Sequence, residues 1–117
     1  MSKDWMLKTL VSVGFTETDA QVYVYLTTEG LQKATDIAEA LKLYSRPLYR
    51  TLKNLQAKGI VNASPENPAR FLAVPFEKIL ELLIKAKKEQ QKELRESREE
   101  LLSTWQSITK KDANATT

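Results

Sequence analysis

Arg46, Arg50 and Lys53 recur at i, i+4 and i+7, the spacing that sets side chains along one face of a helix. Leu48, Leu52 and Leu55 repeat that spacing two residues on and so fall close to the opposite face, with Tyr49 on the flank between. No acidic residue lies between Glu39 and Glu66, whereas Lys42, Arg46, Arg50, Lys53 and Lys58 all do. A cationic face held to a core by its leucines suits a polyanion, and guanidinium groups can reach guanine edges bidentately. The expectation is a DNA-recognition helix. Amphipathic helices with a basic outer face also occur where nothing binds, so the rest of the chain must decide.

Other chemistries find less support. The chain has no Cys and no His, which removes disulfides, thiolate nucleophiles, imidazole catalysis and the usual zinc sites. Glu93, Glu96, Glu99 and Glu100 lie along a charged helical stretch and read as solvating rather than catalytic. No Gly-rich phosphate loop, nucleophile elbow or metal-ligand spacing occurs. The reading is therefore not an enzyme, with no cofactor and no metal.

A length of 117 residues suits one small domain plus an appended element. The net charge of +3 favours a polyanionic partner only weakly. Residues 1–75 hold nine Lys+Arg against seven Asp+Glu, and residues 76–117 nine against eight, so any electrostatic footprint is local. No secretory start and no apolar run approaching ~18 residues is present, which reads as a cytoplasmic protein with no membrane partner.

The elements that must position the basic helix can be taken in order. Residues 4 to 13 predict a helix with Leu7, Leu10 and Val11 inward, ended by Gly14. Thr16 and Asp19 form a capping box opening a second helix to about Glu29, with Ala20, Tyr23, Val24 and Thr27 inward. Leu31-Gln32 reads as a short extended segment. A third helix begins near Lys33 to Thr35 and buries Ile37, Ala38 and Leu41. Leu43-Tyr44 is the turn into the basic helix, which Ser45 can cap, Pro47 tolerates in its first turn and Gly59 ends. Two short helices joined this way make a helix-turn-helix. Ile60–Ala63 and Arg70–Val74, separated by a Pro-, Ser- and Asn-containing loop, read as a β-hairpin with Arg70 near its tip and Phe71 or Leu72 inward. That hairpin is the wing.

From Phe76 the pattern predicts one long helix to about Lys110. Leu80, Lys87, Leu94, Leu101 and Ile108 form one heptad seam; Phe76, Leu83, Gln90, Ser97 and Thr104 form the other. The middle is charged, with Lys85–Glu89, Lys92–Glu96 and Arg95–Glu99 at i, i+4. Leu94, Leu101, Leu102, Trp105 and Ile108 have no core of their own to enter, which predicts antiparallel or crossed pairing with a second copy. Residues 111–117 read as a disordered tail. The fold class is mainly α with a small β-hairpin: a winged helix-turn-helix over 1–75, a dimerisation helix over 76–110, then the tail.

Several stretches together resemble the DNA-binding part of the TrmB family of archaeal and bacterial transcription regulators. They are Val13-Gly14-Phe15-Thr16-Glu17-Thr18-Asp19-Ala20 with Tyr23 and Leu26, and Ala34-Thr35-Asp36-Ile37-Ala38. Ser45-Arg46-Pro47-Leu48-Tyr49-Arg50-Thr51-Leu52, Leu55, Lys58-Gly59-Ile60-Val61 and Pro68-Ala69-Arg70-Phe71-Leu72-Ala73-Val74-Pro75 complete the set. MarR-like regulators share the middle pieces but less obviously the exit from Arg70 to Pro75. The resemblance implies a winged helix-turn-helix that binds promoter DNA as a dimer. Larger family members carry a C-terminal sugar-binding domain; this sequence stops after one helix, so sugar sensing does not carry over and an effector is left unassigned.

The combined expectation is a sequence-specific, homodimeric DNA-binding transcription regulator of archaeal type. Arg46 and Arg50 read bases; Ser45, Tyr49 and Lys53 make phosphate or mixed contacts. Arg70 acts beside the wing, and the Thr35 hydroxyl meets the DNA backbone. Leu80, Leu83, Leu94, Leu101, Trp105 and Ile108 join the two copies. The alternative is a winged-helix module that contacts protein within a transcription or chromatin assembly.

Overall fold

The computed structural model describes residues 3–116, with side chains described as far as Thr109. The order is α1 (Lys3–Ser12), α2 (Glu17–Glu29), β1 (Gln32–Lys33), α3 (Ala34–Leu41), α4 (Ser45–Ala57), β2 (Val61–Ala63), β3 (Arg70–Ala73), α5 (Phe76–Glu96) and α6 (Arg98–Thr116). The chain is mainly helical with one small antiparallel sheet, ordered β1-β3-β2. Residues up to Leu80 form one compact unit and those from Glu81 a second.

In the first unit the helix ends are set by local chemistry. Gly14 adopts φ 116, and its N–H donates to Val11 O at 3.1 Å while Phe15 N donates to Leu10 O at 3.1 Å. That pair of bonds is a Schellman turn, and it folds Phe15 back beside Leu10, both buried. Thr16 Oγ1 then accepts from Asp19 N at 3.0 Å and Asp19 Oδ2 from Thr16 N at 3.3 Å, the expected capping box.

The inward faces of α1 and α2 match the predicted ones in part: Leu10, Ala20 and Tyr23 are buried as expected and Leu7 is half-buried. Val11, however, is 39% exposed. On α2 the buried side chains are Asp19, Ala20, Val22, Tyr23 and Leu26; Val24 is half-buried and Thr27 exposed, donating to Tyr23 O at 3.0 Å. Helix α2 touches α1, α3, α4 and β3, so tertiary packing rather than one periodic stripe selects its buried face. Tyr23 donates its hydroxyl to Val74 O at 2.8 Å and meets Phe15 edge-on, ring centroids 6.3 Å apart. Burial pushes the Tyr23 pKa above its ordinary value, with Glu77 adding to the rise and the Thr27 hydrogen bond opposing it.

The wing differs from the expected two-stranded hairpin. Strand β1 pairs with β3 as well, in the register Gln32↔Phe71 and Lys33↔Arg70, while Val61, Asn62 and Ala63 of β2 face Ala73, Leu72 and Phe71. Arg70 therefore lies at the start of β3, at the base of loop 64–69 and not at its tip. There Ser64 N donates to Arg70 O at 2.8 Å and Arg70 N donates to Ser64 Oγ at 3.0 Å. Phe71 is the inward residue; Leu72 is 43% exposed. The short extended segment expected at Leu31-Gln32 is β1, shifted by one residue. A two-residue strand has too little pattern to announce a partner so distant in sequence, which is why its pairing with β3 escapes prediction.

The single long helix predicted from Phe76 is two, α5 and α6, separated at Ser97. The i to i−4 bonding passes through the break, with Ser97 N donating to Glu93 O at 2.9 Å and Leu101 N to Ser97 O at 2.8 Å. The interruption is a local loosening at a residue of modest helix propensity. The ion pair formed in this region is Arg98–Glu99 at 3.7 Å, where i, i+4 pairs were expected. Backbone helix continues to Thr116, through most of the stretch predicted as a tail; Thr117, and the side chains from 110 on, lie outside the described residues. No helix among the described residues is long and apolar enough to cross a membrane.

Candidate nucleic-acid interface

Helix α4 is anchored from beneath. Leu48, Leu52 and Leu55 are each at most 2% exposed, which fixes the rotation of the helix and therefore the direction of everything opposite them. Its start departs from the predicted cap. Tyr44, not Ser45, occupies the N-cap position, with φ −74 and ψ 154 and no side-chain capping bond. Pro47 consequently falls at the third helical position, still among those whose N–H has no intrahelical acceptor, so its missing donor costs nothing there. Leu43, before the cap, lines the same recess between α3 and α4 as Leu48, the positions of a hydrophobic staple. At the far end Gly59 N donates to Gln56 O at 3.0 Å and Ile60 N to Leu55 O at 2.9 Å. Gly59 takes φ 76, and this second Schellman turn sends the chain directly into β2.

With the helix so fixed, Ser45, Arg46, Tyr49, Arg50 and Lys53 are all exposed. Ser45, Arg46, Tyr49 and Arg50 line one shallow surface depression, and Lys53 Nζ lies 5.3 Å from the centre of the Tyr49 ring. That cation–π contact holds the ammonium alongside the aromatic instead of leaving it free in solvent. Helix α4 carries no acidic residue. Thr35, exposed in the first turn of α3, lines the α3–α4 recess together with Ser45 and Tyr49. Arg70 belongs to a different element, the wing base, where its Nε lies 3.9 Å from Glu66 Oε2.

Two groups here, one exposed and one half-buried, are absent from the sequence-based set. Tyr44 is 84% exposed at the head of α4, and an aromatic in a polar turn is the signal that marks it. Lys33 stands directly across from Arg70, and no local pattern reveals that juxtaposition. In the C-terminal part, Leu80, Leu94, Leu101, Trp105 and Ile108 are between 43% and 62% exposed, and Leu83 is half-buried. Among the described residues no cluster of acidic side chains could hold a metal ion.

Residues 10–77, more than half of the chain, match the profile of the sugar-specific transcriptional regulator TrmB family. The chain belongs to the TrmB family. Among solved structures, TrmBL2, an archaeal chromatin protein whose structure shows a novel mode of DNA binding, aligns over 92% of this TrmB-family chain with a TM-score of 0.76 and 24% identity. The chain spans 42% of that protein's length. ST1889 from Sulfolobus tokodaii aligns over 78% of this chain and 96% of its own, at 20% identity and a TM-score of 0.64. A possible transcriptional regulator from Methanosarcina mazei Go1 covers 77% of this chain and 82% of its own, at 17% identity and the same TM-score. At such identities these likenesses establish a shared winged-helix fold. No curated protein matches the chain in sequence.

Proposed function

We propose that this TrmB-family chain is a sequence-specific DNA-binding transcription regulator acting as a homodimer. The observation that carries the reading is α4: a helix whose leucines are locked in the core and whose outer face presents Arg46, Tyr49, Arg50 and Lys53 with no acidic residue among them. Placed in a major groove, Arg46 and Arg50 reach guanine O6 and N7, while Ser45, Tyr49 and Lys53 meet phosphates or base edges. Thr35 offers its hydroxyl to the backbone, and Arg70 meets phosphate beside the wing. The family's sugar specificity is not assigned to this chain.

Pairing rests on the apolar side chains left open along α5 and α6. Leu94, Leu101, Trp105 and Ile108 are 51% or more exposed, and covering a large apolar side chain is worth about 1.5–3 kcal/mol. A second copy of the same helices supplies matching apolar surface. Two recognition helices about 34–36 Å apart then address successive turns of one groove, and doubled phosphate contacts bring a steep salt dependence.

The test is selection and sequencing of bound genomic fragments, followed by titration of Arg50→Ala on the recovered duplex. Losing a bidentate base contact should weaken binding by about 10-fold or more per protomer. An unchanged affinity and salt slope for Arg50→Ala would remove α4 from the interface, and retention without any sequence preference would favour the protein-contact alternative.

A further inference from the structure

The register of β1 against β3 sets Lys33 directly across from Arg70. Phe71 is buried beneath the sheet, so its neighbour Arg70 points to the outer face, and Lys33 shares that face with it. Arg70 N and Arg70 O both bond to Ser64, at 3.0 and 2.8 Å, on the side away from β1. Lys33 and Arg70 are therefore a non-hydrogen-bonded pair, the kind whose side chains lie closer together. Like charges so placed oppose strand pairing. Among the described residues Lys33 forms no ion pair, and Arg70 has Glu66 alone, 3.9 Å away with both side chains well exposed. An ion pair of that kind offsets little of the repulsion.

We propose that Lys33 and Arg70 form a two-cation clamp for a single DNA backbone phosphate. This rests on the DNA-binding reading above, in which Arg70 acts alone beside the wing. A phosphate seated between the two groups accepts from both at the ~2.7–2.9 Å of charge-assisted bonds and supplies the anion that the strand pair lacks. Lys33 is half-buried, so part of its side-chain freedom is already lost in the free protein and less is lost on binding. The place suits the role. Lys33 is the N-cap residue of α3, and Thr35, in the first turn of that helix, lines the recess shared with Ser45 and Tyr49 of α4. The pair thus adjoins the element that carries the proposed DNA face. A contact of this kind reads no base; it fixes where the wing sits on the duplex relative to α4.

The experiment uses the full chain and the duplex recovered by genomic selection, with uncharged methylphosphonates replacing its phosphates one position at a time. Affinities are read by fluorescence anisotropy between ~50 and ~200 mM salt. At one position per half-site, the wild type should lose about 3- to 10-fold at low salt, the scale of one phosphate contact. That loss should shrink at the same position in Lys33→Met, which keeps the apolar stem, and in Arg70→Gln, and should vanish in the double variant. The double variant should lower the salt slope by ~0.9 per protomer, where two separate phosphates would give ~1.8. Lys33→Arg should keep the wild-type pattern. In the free protein, Lys33→Met should unfold at a higher urea concentration, because the repulsion across the strands is gone. Different positions for the two variants, a Lys33→Met chain that binds as the wild type does, or weaker binding with a lower urea midpoint and an unchanged phosphate pattern would each overturn the clamp. Arg50→Ala on the same duplex separates the two readings. If it weakens binding while Lys33→Met is silent, only the clamp fails. A wild-type chain that retains no duplex overturns both.

Discussion

Lys42 holds the turn between α3 and α4 at φ 55 and ψ 50, a left-handed conformation that costs a side-chain-bearing residue about 1–2 kcal/mol. The turn needs that conformation, because Leu43 N must swing back to donate to Ala38 O at 2.9 Å. Lys42→Gly should relieve the strain, less the ~0.4–1 kcal/mol that glycine adds to the entropy of the unfolded chain. The expected result is a higher urea midpoint, by about 0.5–1 kcal/mol in stability; a lower midpoint would show that the backbone there is not strained. If the variant is more stable yet binds DNA less tightly, the Lys42 ammonium belongs to the interface with Arg46 and Arg50. A lysine retained where glycine is cheaper is what a binding role would explain.

Among the elements, Tyr23 of α2 ties the helical layer to the exit of the wing through its bond to Val74 O. Removing that hydroxyl in Tyr23→Phe should cost about 0.5–1.5 kcal/mol and leave Val74 O without this partner. The same substitution predicts a pH effect. The fold raises the Tyr23 pKa from 10.0, first by burial. The stability contributed by its neutral form is thus fully present below that value and is lost as pH rises through the folded pKa. Urea midpoints of the wild type should fall more steeply than those of Tyr23→Phe above about pH 10; parallel profiles would contradict the assignment. The α4 stripe and both Schellman glycines are legible from sequence because they are local: a leucine every turn, and a glycine where φ must be positive. The faces of α1 and α2 are legible only in part, since neighbours on several sides decide which residues are covered.

For the molecule as a whole, the proposed regulator depends on two copies. Leu101 is 51% exposed on α6, and Leu101→Glu would set a carboxylate in the apolar contact. Sedimentation equilibrium should show the dimer dissociation constant raised by at least about 10-fold, the loss of one covered leucine. DNA affinity should fall with it, while the helical circular dichroism per residue stays close to that of the wild type. A variant that remains dimeric would direct the pairing surface elsewhere, and one that becomes monomeric but binds DNA unchanged would separate pairing from recognition.

Periodicity and end signals in the sequence alone determined the winged helix-turn-helix, the basic face of α4 and the capping box and glycine turns, because each depends on residues within a turn or two of one another. The ordered motifs over residues 7–75 were enough to place the chain beside its family. Tertiary structure alone decided that β1 joins the wing as a third strand, that Arg70 sits at its base, and that Lys33 stands across from it there. Strand register brings together residues that no short window of sequence contains, and side-chain reach then decides which charges meet.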